Sequence, residues 1–322
     1  MSTRFTRIAF AFVAATAIAG CSENGLSSSY PVARSQVPVR HDFVANPGAT
    51  GTFIYECSAN ANACRWYQKG HNVVAGMITS GLSTPLGIGV GPAHGFVYIA
   101  NAGANNILEY PPNSSSLAKT FNDVGQVPND VAVDSQQNVY VANSSTTSSG
   151  PGSVTIFNQS GAVIRTLHDP RVFTGISVSV DESHNVVFCF VNNSGEAECD
   201  SFPNAKGKGN LDLTFTAPPG GNSVDNAEHI VVISPPAKAA VTFIGGSGCG
   251  VMSLGRAANP QMMALDRSNA TLYVADPGNE AILAYPFSDC HNGAVAPSKF
   301  YNAGIGAGEF VSGVAITPGV VP

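Results

Sequence analysis

Four stretches of the chain repeat one two-part pattern at a nearly constant spacing. PLGIGV at 85–90 precedes FVYIAN at 96–101, and PNDVAVD at 128–134 precedes NVYVAN at 138–143. FTGISVSVD at 173–181 precedes NVVFCFVN at 185–192, and PQMMALD at 260–266 precedes TLYVAD at 271–276. The copies start at 85, 128, 173 and 260, so the gaps are 43, 45 and 87 residues, the last being two periods. The degenerate stretch 222–243, with HIVVI at 229–233, fills the missing copy. A period of this size marks supersecondary units that bury a core only against one another.

Each half-unit is a run of five to seven residues rich in Val, Ile and Tyr, bounded by Gly, Asn, Asp or Pro. Such runs are strands, not helices. A third strand follows in NILEY at 106–110, SVTIF at 153–157 and AILAY at 281–285, and a fourth in AVIRTL at 162–167 and LDLTF at 211–215. Four strands in about 45 residues make one blade of a β-propeller. The two ends complete the count. GEFVSGVAIT at 308–317 is a first strand with nothing after it, while GTFIYE at 51–56 and CRWY at 64–67 are second and third strands lacking a first. Joined, they form a closing blade that removes the ring's exposed edges. The expected fold is an all-β, six-bladed propeller over 51–322.

Composition narrows the function. Hydrophobic residues make up 44% of the chain and charged residues only 11%, with net charge −6 and no basic stretch. That excludes wholesale disorder and argues against nucleic-acid binding. No apolar run after the first twenty residues reaches the length of a membrane-spanning helix.

The blades resemble NHL repeats, which combine a Gly-rich lead-in, a Pro-x-Gly-Val-Ala-Val-Asp strand, Tyr-Val-Ala-Asp, a Gly/Asn turn, and Ile with an aromatic three residues on. GIGAGEF at 304–310 matches the lead-in, and Tyr273 to Asp276, Asn279 and Ile282 to Tyr285 match the blade core. The family often has a basic residue just before that Ile; Asn106 and Ala281 stand there instead. Strand placement then orders the cysteines. Cys57 and Cys64 fall on second and third strands of the closing blade, and Cys189 and Cys199 on the same strands of another. Adjacent antiparallel strands bring such pairs within disulfide range. Cys249 and Cys290 are expected in third-to-fourth-strand turns of neighbouring blades, where they would staple one blade to the next.

The N-terminus carries an address. Arg4 and Arg7 precede an apolar run at 8–19 that is too short for a permanent anchor and suits a secretory signal. Ile18, Ala19, Gly20 and Cys21 resemble the bacterial lipobox, which implies a signal peptide at 1–20 and acylation of Cys21. Ser22 in place of Asp implies sorting to the outer membrane. Residues 21–50, rich in Ser, Pro and Asn, would be a flexible tether. The six remaining cysteines suit an exported, oxidising setting.

Propeller ligands usually meet at the central channel, on the face where first strands begin. The blade heads there include Asn129 and Asp130, a pair that the other blades do not repeat. Second-strand ends placed at the same face are Glu56, Asn101, Asn143, Asn192 and Asp276. An oxygen-rich ring of this kind could hold Ca²⁺. The alternative is that an Asn or Asp at a strand end bonds its own turn. By resemblance to six-bladed lactonases of the gluconolactonase type, Asn129 stands as a metal-ligating Asn and Glu56 as the Glu, giving Glu56, Asn129 and Asp130 as metal candidates. No Gly-x-Ser-x-Gly elbow or His-Glu-x-x-His motif occurs, and GIGVG at 87–91 lies within a strand, so it is not a phosphate loop. Two functions remain open: a surface module binding a protein, glycan or small ligand through Asn129, Asp130, Asn143, Asn192 or Asp276, and a divalent-metal hydrolase of lactones.

Overall fold

The computed structural model describes residues 52–317, apart from 147–149, 208, 210–212, 216, 225–228 and 245–246. The chain begins with three strands, β1 (Phe53–Ser58), β2 (Ala63–Gln68) and β3 (Val74–Ile78). Next come three four-stranded antiparallel sheets in simple meander order. The first is β4 (Pro85–Val90), β5 (Val97–Asn101), β6 (Asn106–Tyr110) and β7 (Lys119–Asn122). The second is β8 (Gln126–Val133), β9 (Val139–Thr146), β10 (Ser153–Phe157) and β11 (Val163–Leu167). The third is β12 (Val172–Val180), β13 (Val186–Asn192), β14 (Ala197–Phe202) and β15 (Leu213–Phe215).

The degenerate repeat forms β16 (Asn222–Val224), β17 (His229–Ser234), β18 (Ala239–Ile244) and β19 (Ser247–Leu254). The last full blade is β20 (Met263–Asp266), β21 (Thr271–Asp276), β22 (Ala281–Pro286) and β24 (Lys299–Tyr301). Between its third and fourth strands the chain leaves the blade, and β23 (Gly293–Val295) adds in parallel to the outer edge of β19. Finally β25 (Val311–Ile316) pairs antiparallel with β1, Ile54 opposite Ile316, and closes the ring as a sixth blade in the order β25, β1, β2, β3. Six blades around one axis make a β-propeller, with helix limited to three short 3₁₀ turns among the described residues. None is long and apolar enough to cross a membrane.

The core lies in the seams between blades, because strand alternation presents one set of side chains to each neighbour. Val139, Val141 and Phe157 of one blade meet Tyr98, Ile107 and Phe121 of the blade before. The opposite face of the same blade sends Tyr140, Ala142, Val154 and Ile156 against Val178, Phe188 and Phe190.

Three disulfides form: Cys57 with Cys64 and Cys189 with Cys199 across hairpins, and Cys249 with Cys290 between blades. The third pair is not made by two turns as expected. Cys249 lies on strand β19, and Cys290 on the excursion that leads to β23, because this blade's fourth strand extends beyond the turn. The first four sulfurs are fully buried, while Cys249 and Cys290 are half-buried. A short pulse of dithiothreitol is therefore expected to open Cys249–Cys290 first, as read by alkylation and mass spectrometry. That bridge closes a sequence separation of 41 residues. Its loss should lower stability in urea by up to about 4 kcal/mol on the loop-entropy argument. Equal alkylation of all six cysteines would contradict the burial order.

Candidate functional site: the central channel

The six inner strands β4, β8, β12, β16, β20 and β25 line a central channel of about 730 Å³, its open mouths included. Most lining residues are apolar in type, Ile88, Val131, Val178, Met263 and Val314 among them, but polar atoms form the larger share of the exposed wall. Ser179, Asn222 and Ser223 also line it, and Asp130 is the one charged group among the described residues that line it. The inner strands approach so closely that a Cβ on Gly87 would lie 2.3 Å from Asp130 Oδ1, and one on Gly313 would lie 2.4 Å from the Leu86 carbonyl. The Gly-rich run at 87–91 is thus what lets the inner strands pack backbone to backbone.

Asn129 and Asp130 face the next blade. The Asn129 amide donates to the Ile176 carbonyl at 2.6 Å, and Asp130 Oδ2 accepts from Val178 N–H at 3.1 Å. Together they lace β8 to β12. Burial pushes the Asp130 carboxyl up to about 7, against the pull of the Val178 and Val131 amides. An acid held above its unfolded value binds its proton more tightly when folded. Stability from this site is therefore full below about pH 4 and is lost as pH rises through about 7. The span is on the order of 4 kcal/mol. Asp130→Asn should flatten the fall in urea midpoint between pH 4 and pH 8. Parallel slopes in both proteins would mean that Asp130 is ionised at neutral pH.

The other candidates do not line the channel. Asn101 Oδ1 accepts from Ser83 N–H at 2.6 Å, and the Asp276 carboxylate accepts from Ala258 and Asn259 N–H, both at 2.8 Å. Asn192 Oδ1 accepts from Ser194 and Glu196 N–H in its own turn. These second-strand ends pin turns and the loops that lead into each blade. Asn143 turns its amide to Ser153 and Thr155 in the seam with the preceding blade.

Glu56 is also displaced from the expected position. It shares strand parity with Ile54, whose side chain packs on the last full blade, so it points into that seam and not to the channel. There it is fully buried and ion-paired with Arg65 at 2.7 Å; Arg65 also reaches Glu309 at 2.8 Å. The trio Glu56, Asn129 and Asp130 is therefore not brought together. Among the described residues no three His, Cys, Asp or Glu side chains cluster as a metal site. The Glu56 register was open to sequence reasoning, since a short turn at 59–62 sets Arg65 directly across the hairpin. Cys21, the signal peptide and the tether lie outside the described residues.

No protein-family model and no curated protein matches the sequence. Solved structures do resemble the fold. A chain of a nidogen/laminin complex superposes with a TM-score of 0.67 at 13% identity, covering 83% of this chain and 98% of that one. A protein of unknown function from Bacteroides caccae gives 0.60 at 11% identity, covering 83% and 99%. Kuenenia stuttgartiensis hydrazine synthase gives 0.55 at 14% identity, covering 71% and 72%. At such identities the likeness is one of fold alone. With the blade count and the closing pair β25 and β1, it establishes the chain as a six-bladed β-propeller.

Proposed function

We propose that the protein is an exported interaction module, held at the bacterial outer membrane or cell surface by acylated Cys21, with a partner bound at the channel face. The three disulfides support an oxidising compartment. The observation that carries the binding role is the chemistry of the channel. Its wall mixes apolar side chains with uncharged polar atoms, and its one carboxyl group accepts from the Val178 N–H of the neighbouring strand. The second-strand ends on the same face are committed to internal bonds. Such a surface recognises by shape and neutral contacts, which suits a protein, a glycan or a small uncharged ligand. A propeller in a nidogen/laminin complex is consistent with that use.

Two measurements test the reading. Cys21→Ser should move the chain from the membrane fraction to the soluble fraction and abolish incorporation of labelled palmitate; retention in the membrane would remove the lipid anchor. Thermal unfolding against a panel of neutral oligosaccharides and simple lactones should show a rise in Tm with at least one compound and no turnover. Saturable lactone hydrolysis that is lost in Asp130→Asn would overturn the binding role in favour of a hydrolase.

A further inference from the structure

A second polar feature lies away from the channel, in the seam between the β4–β7 blade and the β8–β11 blade. Most of that seam is apolar, built on Phe121, Val139, Val141 and Phe157. At one end Asn143, Ser153 and Thr155 project from β9 and β10 on the same face as Val141, the loop between β7 and β8 brings in Asp123, and the start of β8 brings in Gln126. Asn143 Nδ2 donates to Thr155 Oγ1 at 3.0 Å and to Ser153 Oγ at 3.3 Å. Thr155 donates to Asp123 Oδ1 at 3.1 Å, and Ser153 to Gln126 Oε1 at 3.3 Å. Two acceptors of the group remain. Asp123 Oδ2 and Asn143 Oδ1 are buried without a hydrogen-bond partner. The residues are 3% and 0% exposed.

Other blades solve the same position differently. The oxygens of Asn101 and Asp276, at the equivalent strand end, are filled by backbone N–H groups of the loop leading into the blade. In this blade that loop contributes a carboxylate where the others contribute amide protons. No Lys, Arg or His among the described residues pairs with Asp123. Buried acceptors without donors are costly, and a buried carboxylate with no cation beside it costs most. A carboxylate, an amide carbonyl and two hydroxyls, all oxygen, are the ligand types that a hard cation takes.

We infer that Asp123 and Asn143 are the first ligands of a hard-cation site, for Ca²⁺ or Na⁺, with the Thr155 and Ser153 hydroxyls in the same shell. The ion would bridge the loop between β7 and β8 to β9 and β10, clamping two blades together. The site is independent of the channel and of the binding role proposed for it.

The test uses the purified full chain, stripped of metal and held in choline buffer at neutral pH. Thermal unfolding is followed with millimolar CaCl₂ and, separately, with NaCl replacing choline chloride. A cation that binds only the folded state raises Tm as its concentration passes Kd. A rise with either ion is expected, lost in Asp123→Asn and kept in Asp130→Asn, which leaves the seam intact. Asn143→Asp adds a second carboxylate and should tighten Ca²⁺, measured by equilibrium dialysis with radiolabelled calcium, by about tenfold or more. The site is refuted if neither ion shifts the wild type, the result that a protonated Asp123 would give, or if the shift survives in Asp123→Asn. Should Asp123→Asn fail to fold, an unchanged calcium affinity in Asn143→Asp refutes it equally.

Discussion

A chain ended at Phe310 should lose its cooperative unfolding transition. The cut removes only β25 and the few residues after it, yet β25 is the inner strand of the closing blade. Val311, Val314, Ala315 and Ile316 are all at most 5% exposed. At roughly 1.5–3 kcal/mol for each fully buried aliphatic side chain, and less for Ala, their loss is on the order of 6–8 kcal/mol. That is comparable to the whole stability of an ordinary domain. Polar ties are lost as well. Thr317 Oγ1 accepts from Phe53 N–H at 2.6 Å, and the single Ser312 hydroxyl proton is shared between the Cys57 and Pro85 carbonyls, so one hydroxyl lies between β1 and the first strand of the next blade. Without β25 the edge of β1 is open and available to pair with another chain. Circular dichroism should show a broad, non-cooperative melt and size exclusion should show aggregates, with partial recovery when a peptide of residues 308–317 is added. A truncated chain that melts sharply within about 1 kcal/mol of wild type would show that the ring does not depend on its closing strand.

That closure was legible in the sequence because a first-strand pattern at 308–317 had no second strand after it, and a second-strand pattern at 51–56 had no first strand before it. The blades themselves were legible for the same reason: PNDVAVD and NVYVAN keep strand period and turn residues together in each copy. What could not be read depends on contacts between copies. β23 is three residues with no alternation, and only its parallel pairing to β19 makes it a strand. Asn129 and Asp130 stood out as departures from the repeat, but their partners, Ile176 and Val178, lie 47 and 48 residues on in another blade. Asp123 gave no signal by itself, since an Asp before Val124 and Gly125 looks like any lead-in turn. Its position becomes unusual only when set beside the amides that fill Asn101 and Asp276.

Arg65→Met should be the most damaging single substitution in the seam that closes the ring, with a loss of about 5 kcal/mol at pH 8. Arg65 is 5% exposed and Glu56 0%. The guanidinium holds Glu56 on one side and Glu309 on the other, and the methionine would leave both carboxylates facing a seam with no cation between them. Burial already pushes Glu56 up to about 7, and Arg65 is the largest influence that pulls it down. Removing Arg65 raises it further. The sign follows from proton binding: an acid whose folded pKa lies above its unfolded value gives stability that is full below the unfolded value and is lost as pH climbs through the folded one. The deficit of Arg65→Met relative to wild type should therefore be small near pH 4, where Glu56 takes a proton in the folded variant, and largest at pH 8. Adding Glu56→Gln in the same chain should recover most of the loss at pH 8, because a neutral amide has no charge to strand. Urea midpoints of the three proteins at the two pH values decide the matter. An equal deficit at pH 4 and pH 8, unrelieved by Glu56→Gln, would mean that the seam depends on packing against the Arg65 stem and not on its charge.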